Sequence, residues 1–514
     1  MRRDRAVELR PAHIRAFLCL AEARHLVRVL ADRLGGDYLW PGFDVTRVPV
    51  IFYHDGSEAF LLQHPDPPDE FERVRIPIPG LEEAEFHYHR GPLPYLPAVR
   101  EVEAGGLRTA ALPLSFFSTV APPEALTVGL VHDLFHVFAA SLGLEAADLR
   151  VLSRYPELDP TNNALGTLEG LILHDFLTDT LRDFLTEAPG TGPAPGGGVE
   201  PERTAYEFCL VRRERRGPLE DEVIDYEQQL EAREGLARYV EVKALIGAGS
   251  PEYEPSRAFR TLSGRDTYSL APELVGNRLA RLREINVKAA GAAWWRFFET
   301  GMALGLFADH IEPKWKSEVA RGATLDSVVE RGVRFLGDPG DERELDRLKE
   351  KYDYESRLET EWAFSLDERR RRDGLLARLL GAEGTRFTFD VSDLIPEETW
   401  WDSGRFTMVW DPSAVDTVSQ NVRIHKRGLR FKGFGTDLRF KDLPVVEDLK
   451  HRLFHVSVPV KGALNLEGDG HPFSLGLGAQ FEDGLEVRLP GVHARARSGY
   501  VKNLGETLYI KITR

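Results

Sequence analysis

The sequence predicts an α+β protein of three successive regions, on three observations. Extended, proline-punctuated segments mix with a helical start over residues 1–120, helical periodicity runs through 121–383, and a period of two sets in from 384 to 514. A chain of 514 residues fits this division, because one hydrophobic core rarely serves more than about 250–300 residues.

In the first region Val48–Tyr53 and Arg75–Ile78 read as strands, and His64-Pro65-Asp66-Pro67-Pro68 as a turn. The second region opens at Pro122-Pro123, a helix start, and its first helix closes near Gly143, a helix stop. Further helical patterns cover Asn163 to Phe176 and Asp225 to Glu241. Ala289 through Trp315 reads as closely packed helices whose small residues admit near neighbours. Between them Ala188–Val199, mostly glycine and proline, predicts a flexible loop. In the third region Arg386–Phe389, Arg405–Val409 and Val456–Val460 alternate or are rich in β formers, which predicts an all-β domain, a sandwich or a barrel.

A formal charge of −16 excludes nucleic acid as an expected partner, since phosphate binding relies on clustered Lys and Arg that release counterions. The one dense basic run, Arg369–Arg372, is interleaved with Asp367, Glu368 and Asp373 and reads as a solvated helix face. Only Cys19 and Cys209 are present, far apart. They make neither a disulfide framework nor a cysteine zinc cage, so any metal must use His and carboxylate ligands. The basic start Met1–Arg5 is not followed by an uninterrupted apolar stretch, and no apolar run is long enough to span a bilayer. A soluble cytoplasmic protein with no membrane partner is expected.

The chemistry is carried by His132-Asp133-Leu134-Phe135-His136. Residues four apart share a helix face, so the two imidazoles stand side by side. Leu130, Val131, Leu134, Phe135, Val137 and Phe138 make the helix apolar nearly all round, hence buried, and buried polar groups need partners; a metal ion supplies one. With 15 histidines, such a pair arises by chance roughly 0.4 times, and one followed directly by an acid roughly 0.07 times. The other pair, His451 and His455, sits by a β segment with Arg452 where the acid would be, and reads as incidental. A third ligand is sought in Glu234, whose neighbour Gly235 weakens a helix by about 1 kcal/mol and so implies a close approach, here of the histidine helix. The bland reading pairs Glu234 with Arg238 on an exposed face. Glu169, on its own helix beside Gly170, is the rival ligand or an orienting carboxylate.

His132-Asp-Leu-Phe-His136 followed by Glu234-Gly-Leu-Ala-Arg-Tyr239 resembles the gluzincin metallopeptidases, whose His-Glu-x-x-His motif precedes a helix reading Glu-Gly-Phe-Ala-x-Tyr. The resemblance covers about a quarter of the chain. It implies a helical zincin-like domain over 121–383, with Zn2+ held by His132, His136 and Glu234, Asp133 in the position of the general base, and a peptide or protein substrate. The ion would acidify a water and polarise a carbonyl, with Tyr239, Tyr268 and His310 as oxyanion candidates by type. Asp133 is one methylene shorter than the family's Glu, a shortfall of about 1.5 Å, and the gap from His136 to Glu234 is longer than in these peptidases. A zinc-stabilised scaffold without activity therefore stays open. So does an HD-type phosphohydrolase, on the doublets His132-Asp133 and His174-Asp175. His87 and His89, on one strand face, are a further possible ligand pair or two exposed histidines.

Overall fold

The computed structural model describes residues 7–513 except 55, 92–100, 145–146, 148–150, 153, 187–199, 286–291, 334–336, 338–339, 396–405, 412–413, 459–465, 469–470, 473–477 and 483. Its contacts divide the chain into two compact units. One comprises Met1–Ala147, Leu165–Ile285 and Arg296–Asp353; the other comprises Asp148–Ala164, Asn286–Trp295 and Tyr354–Arg514. The fold is α+β.

The described helices are α1 (Pro11–Leu34), α2 (Pro123–Ser141), α3 (Pro160–Thr180), α4 (Arg182–Leu185), α5 (Pro201–Arg216), α6 (Asp221–Leu230), α7 (Leu236–Ala248), α8 (Arg257–Ser263), α9 (Ala271–Leu282), α10 (Ala292–Ile311), α11 (Trp315–Val319), α12 (Leu325–Arg331), α13 (Asp341–Lys351) and α14 (Tyr354–Leu380). The first unit also holds a six-stranded sheet of β1 (Val50–His54), β2 (Glu58–Leu62), β3 (Glu72–Val74), β4 (Phe86–Arg90), β5 (Glu101–Ala104) and β6 (Leu107–Pro113), in the order β3-β4-β2-β1-β6-β5. Among the described pairings of this sheet, only β1–β6 is parallel. Phe17 of α1 meets Phe52, Phe60 and Phe86 edge-on, with ring centroids 5.9, 5.3 and 5.1 Å away, so α1 seals one face of the sheet.

Strand Val48–Tyr53 is found as β1, but Arg75–Ile78 is unpaired and the strand ends before it at Val74. Pro77 and Pro79 remove the N–H donors that a ladder would need. In the second unit a period of two does produce strands: fifteen are described between Thr385 and Thr513, in an eight-stranded and a seven-stranded sheet. Phe387, Phe389 and Phe454 of one sheet and Phe431, Leu438 and Phe440 of the other share one buried core. Neither described sheet closes on itself, so the pair is a sandwich and not a barrel.

The basic run on α14 is a solvated face at three of its four positions. Arg369, Arg370 and Arg371 are exposed, Arg371 also reaching Asp416, whereas Arg372 is 2% exposed and donates to Glu368, Glu157 and the Thr417 carbonyl. Those partners lie in the same unit, and the guanidiniums pin α14 to it. Among the described residues no helix is long and apolar enough to cross a membrane. The loop predicted over Ala188–Val199, together with Ala289–Gly291, Arg405, Pro459 and Val460, lies outside the described residues.

Candidate metal centre

Helix α2 begins with Pro123 at its first turn and Glu124 beside it, and ends at Ser141 with Leu142 as its C-cap, after which Gly143 turns away at φ +81°. Phe135 packs against Trp40 and Phe43, which fixes the helix in rotation. His132 and His136 then leave one face together. Their Nε2 atoms are 3.1 Å apart and the rings stand at 81°.

The third group comes from a single π-turn, Glu231–Gly235, between α6 and α7. Such a turn inserts one extra residue and re-aims the side chains that follow. Glu234 Oε2 lies 3.3 Å from His136 Nε2, and one donor atom from each of His132, His136 and Glu234 falls within 4.8 Å of the others. The close approach that Gly235 permits is not with the histidine helix. A Cβ there would sit 2.4 Å from Cα of Gly301, and a Cβ on Gly301 would sit 2.4 Å from the Glu231 carbonyl oxygen, so α10 presses on the turn from behind.

Two turns beyond Glu234 on the same line of helix, Glu241 Oε2 lies 3.3 Å from His132 Nδ1, the nitrogen that faces away from the cluster. The contact is of ion-pair length and lacks hydrogen-bond alignment. Arg238 and Arg278 donate to Glu241 at 2.5 and 2.8 Å. Burial works against its charge, but Arg238, His132 and Arg278 hold its pKa well below the usual carboxylate range. A carboxylate on Nδ1 favours the tautomer whose Nε2 carries the lone pair. Burial lowers the pKa of His132, so the ring stays neutral and its lone pair available. Glu234 is charged: burial opposes ionisation, yet His136 brings its pKa down to about 2. Arg238 thus pairs with Glu241, not with Glu234 on an exposed face.

Two of the three separations in this donor set match those around a tetrahedral cation, and the third is within 4.8 Å. Ligands about 2.0–2.1 Å from zinc stand roughly 3.3 Å from one another, and the two closest separations here are 3.1 and 3.3 Å. Without a cation, the Nε2 lone pair of His132, His136 Nε2 and a charged carboxylate must share at most one proton in a buried site.

The remaining candidates are engaged elsewhere. Asp133 is 3% exposed on α2 and is not among the converging donors. Glu169, the rival ligand, accepts from Arg212 at 3.0 Å and from Arg215 at 2.6 Å inside a buried charge network; its neighbour Gly170 admits the end of α9, since a Cβ there would lie 2.3 Å from the Leu282 carbonyl oxygen. Tyr239 donates to Asp309 and Tyr268 to Glu22, and His310 is exposed with its ring against Phe176. His174 contacts Asp175 at 3.5 Å, and that carboxylate accepts from Tyr352. His87 is buried in the sheet, contrary to its reading as an exposed residue, and His89 meets the Glu70 carbonyl. His451 pairs with Asp448, and His455 with Thr388. Glu241 and Arg278 were not singled out from sequence; the one usable signal was the spacing of seven from Glu234, which returns to the same helix face. In comparisons with known proteins, no family model, no curated protein and no solved structure matches this chain.

Proposed function

We propose that the protein is a zinc-dependent hydrolase of the metallopeptidase type, acting on peptide bonds. The observation that carries this reading is the convergence of His132, His136 and Glu234 within 4.8 Å of one another, with two of the three separations those of a tetrahedral donor set. Bound there, zinc would acidify a water and polarise a carbonyl. The two histidines, through Nε2, and the Glu234 carboxylate would hold the ion, while Glu241, held by Arg238 and Arg278, faces Nδ1 of His132 and orients that ring. Asp133 takes the role of proton acceptor from its place in the motif. A cytoplasmic location belongs to the same reading and rests on two buried, unpaired cysteines, the usage of a reducing compartment.

One observation favours a second reading, a zinc-stabilised scaffold without activity: Asp133 is buried and outside the converging group. Metal analysis of the purified protein tests the shared part. About one equivalent of zinc is expected, lost in His132→Ala and in His136→Ala; full retention in the double variant would sink the assignment. A peptide library then separates the readings. For the enzyme, Asp133→Asn keeps zinc and abolishes cleavage, because an amide cannot accept the proton. For the scaffold, the wild type binds zinc, cleaves nothing, and gains nothing from Asp133→Glu.

A further inference from the structure

Beside α1 the first unit carries a groove of about 740 Å³ that shares no residue with the metal centre. One wall is α1 itself, with Arg24, Val27 and Arg28. The opposite wall is the turn Gly80–Glu83, seated so closely that a Cβ on Gly80, at φ +83°, would lie 3.1 Å from the Ala21 Cβ. The Glu82 carboxylate accepts from the Gly80 N–H at 3.0 Å and keeps the turn in that shape. Phe43, Val27 and Leu81 are buried and supply an apolar floor.

Arg24 is half-buried in this groove, and among the described residues its guanidinium has neither a hydrogen bond nor an ion pair within 4.0 Å. That is costly for a charged group partly removed from water. Burial lowers its pKa, and the carboxylates whose charges partly offset this are Asp44 and Glu83, both lining the same groove. Arg24 thus shares one groove with opposite charges that it does not touch: Asp44 pairs with Arg47 and accepts from Thr46, and Glu83 has no pair of its own among the described residues. A guanidinium with two free N–H edges recognises a planar carboxylate, and a carboxylate rim recognises an ammonium.

We propose that this groove is a binding site for a small zwitterion, a free amino acid or a short peptide, whose carboxylate is held by Arg24 and whose ammonium faces Glu83 and Asp44. Its apolar floor takes the side chain. The site stands apart from the metal reading and survives its failure.

The test is calorimetric titration of the intact protein with a chelator present, so that the metal centre takes no part. The probes are glycylglycine, acetate, glycinamide and inorganic phosphate. Glycylglycine is expected to bind saturably, and the three single-charge or phosphate probes at least about tenfold more weakly. Arg24→Gln should weaken glycylglycine by about tenfold or more, and Arg24→Lys, which keeps the charge but not the fork, by less. An unchanged thermal midpoint in Arg24→Lys shows that the fold is intact. Absence of glycylglycine binding, equal binding by Arg24→Gln, or equal binding of acetate or phosphate would each overturn the proposal.

Discussion

His132 shows how much of a candidate ligand's behaviour is set by what stands behind it. Its Nε2 faces His136 and its Nδ1 faces Glu241, itself gripped by two arginines. Glu234→Gln removes a donor at the centre, whereas Glu241→Gln leaves all three donors and loosens only the tautomer and orientation of one ring. Glu241→Gln is therefore expected to weaken zinc by about 10- to 100-fold, and Glu234→Gln by more. Competition against a chromophoric chelator measures both, and equal losses would remove the distinction drawn between them. At this scale the histidines and Glu234 were legible because a spacing of four and an acid beside a helical glycine are unusual patterns. Glu241 was not, because an acid seven residues on, in a helix full of charge, carries no mark of its own until Arg238 and Arg278 are seen to converge on it.

Elements were legible where backbone chemistry is local and illegible where it depends on a neighbour. Pro123 and Gly143 bracket α2 as the sequence implied. Arg75–Ile78 has strand-forming side chains, but its prolines decide the matter by withholding donors. Gly235 predicted a close approach, and one exists, yet with α10 instead of α2; a single sequence shows that room is needed and not for whom. The π-turn itself left no sequence signal, and it is what turns Glu234 toward His136. Gly235→Ala tests its dependence on α10. With Gly301 Cα only 2.4 Å from the new methyl, backbone must shift; the expected loss is about 1–3 kcal/mol or more, read as a lower thermal midpoint together with weaker zinc binding. Gly374→Ala on α14, where a Cβ meets nothing within 4 Å, is the control and should be neutral or stabilising by up to about 1 kcal/mol.

Over the whole molecule, the alternation after residue 384 was enough to mark an all-β region and three of its fifteen described strands, Thr385–Asp390, Phe406–Trp410 and Leu453–Val458, because period two is an intrinsic property of a half-buried sheet. The way the first unit is tied together was not legible, because it rests on long-range charge. Arg212, Arg215 and Arg216 of α5 hold Glu169 of α3, Glu227 of α6, Glu231 of the π-turn and Asp326 of α12, all buried. Thr300 of α10 adds a hydrogen bond to Glu231 at 2.9 Å, three residues before Glu234. Five helices thereby converge on the turn that presents the third donor. Exchanging buried ions for apolar groups can be neutral, but removing one partner leaves the others uncompensated. Glu169→Gln is accordingly expected to cost about 3–5 kcal/mol of stability, since two guanidiniums lose a charged acceptor at once. Zinc content should stay near that of the wild type in protein that remains folded, because Glu169 is committed to the arginines and not to the histidines. Denaturant unfolding and metal analysis on the same preparation read both quantities. A Glu169→Gln protein with native stability but no zinc would reverse the assignment, making Glu169 the ligand and the arginine network incidental.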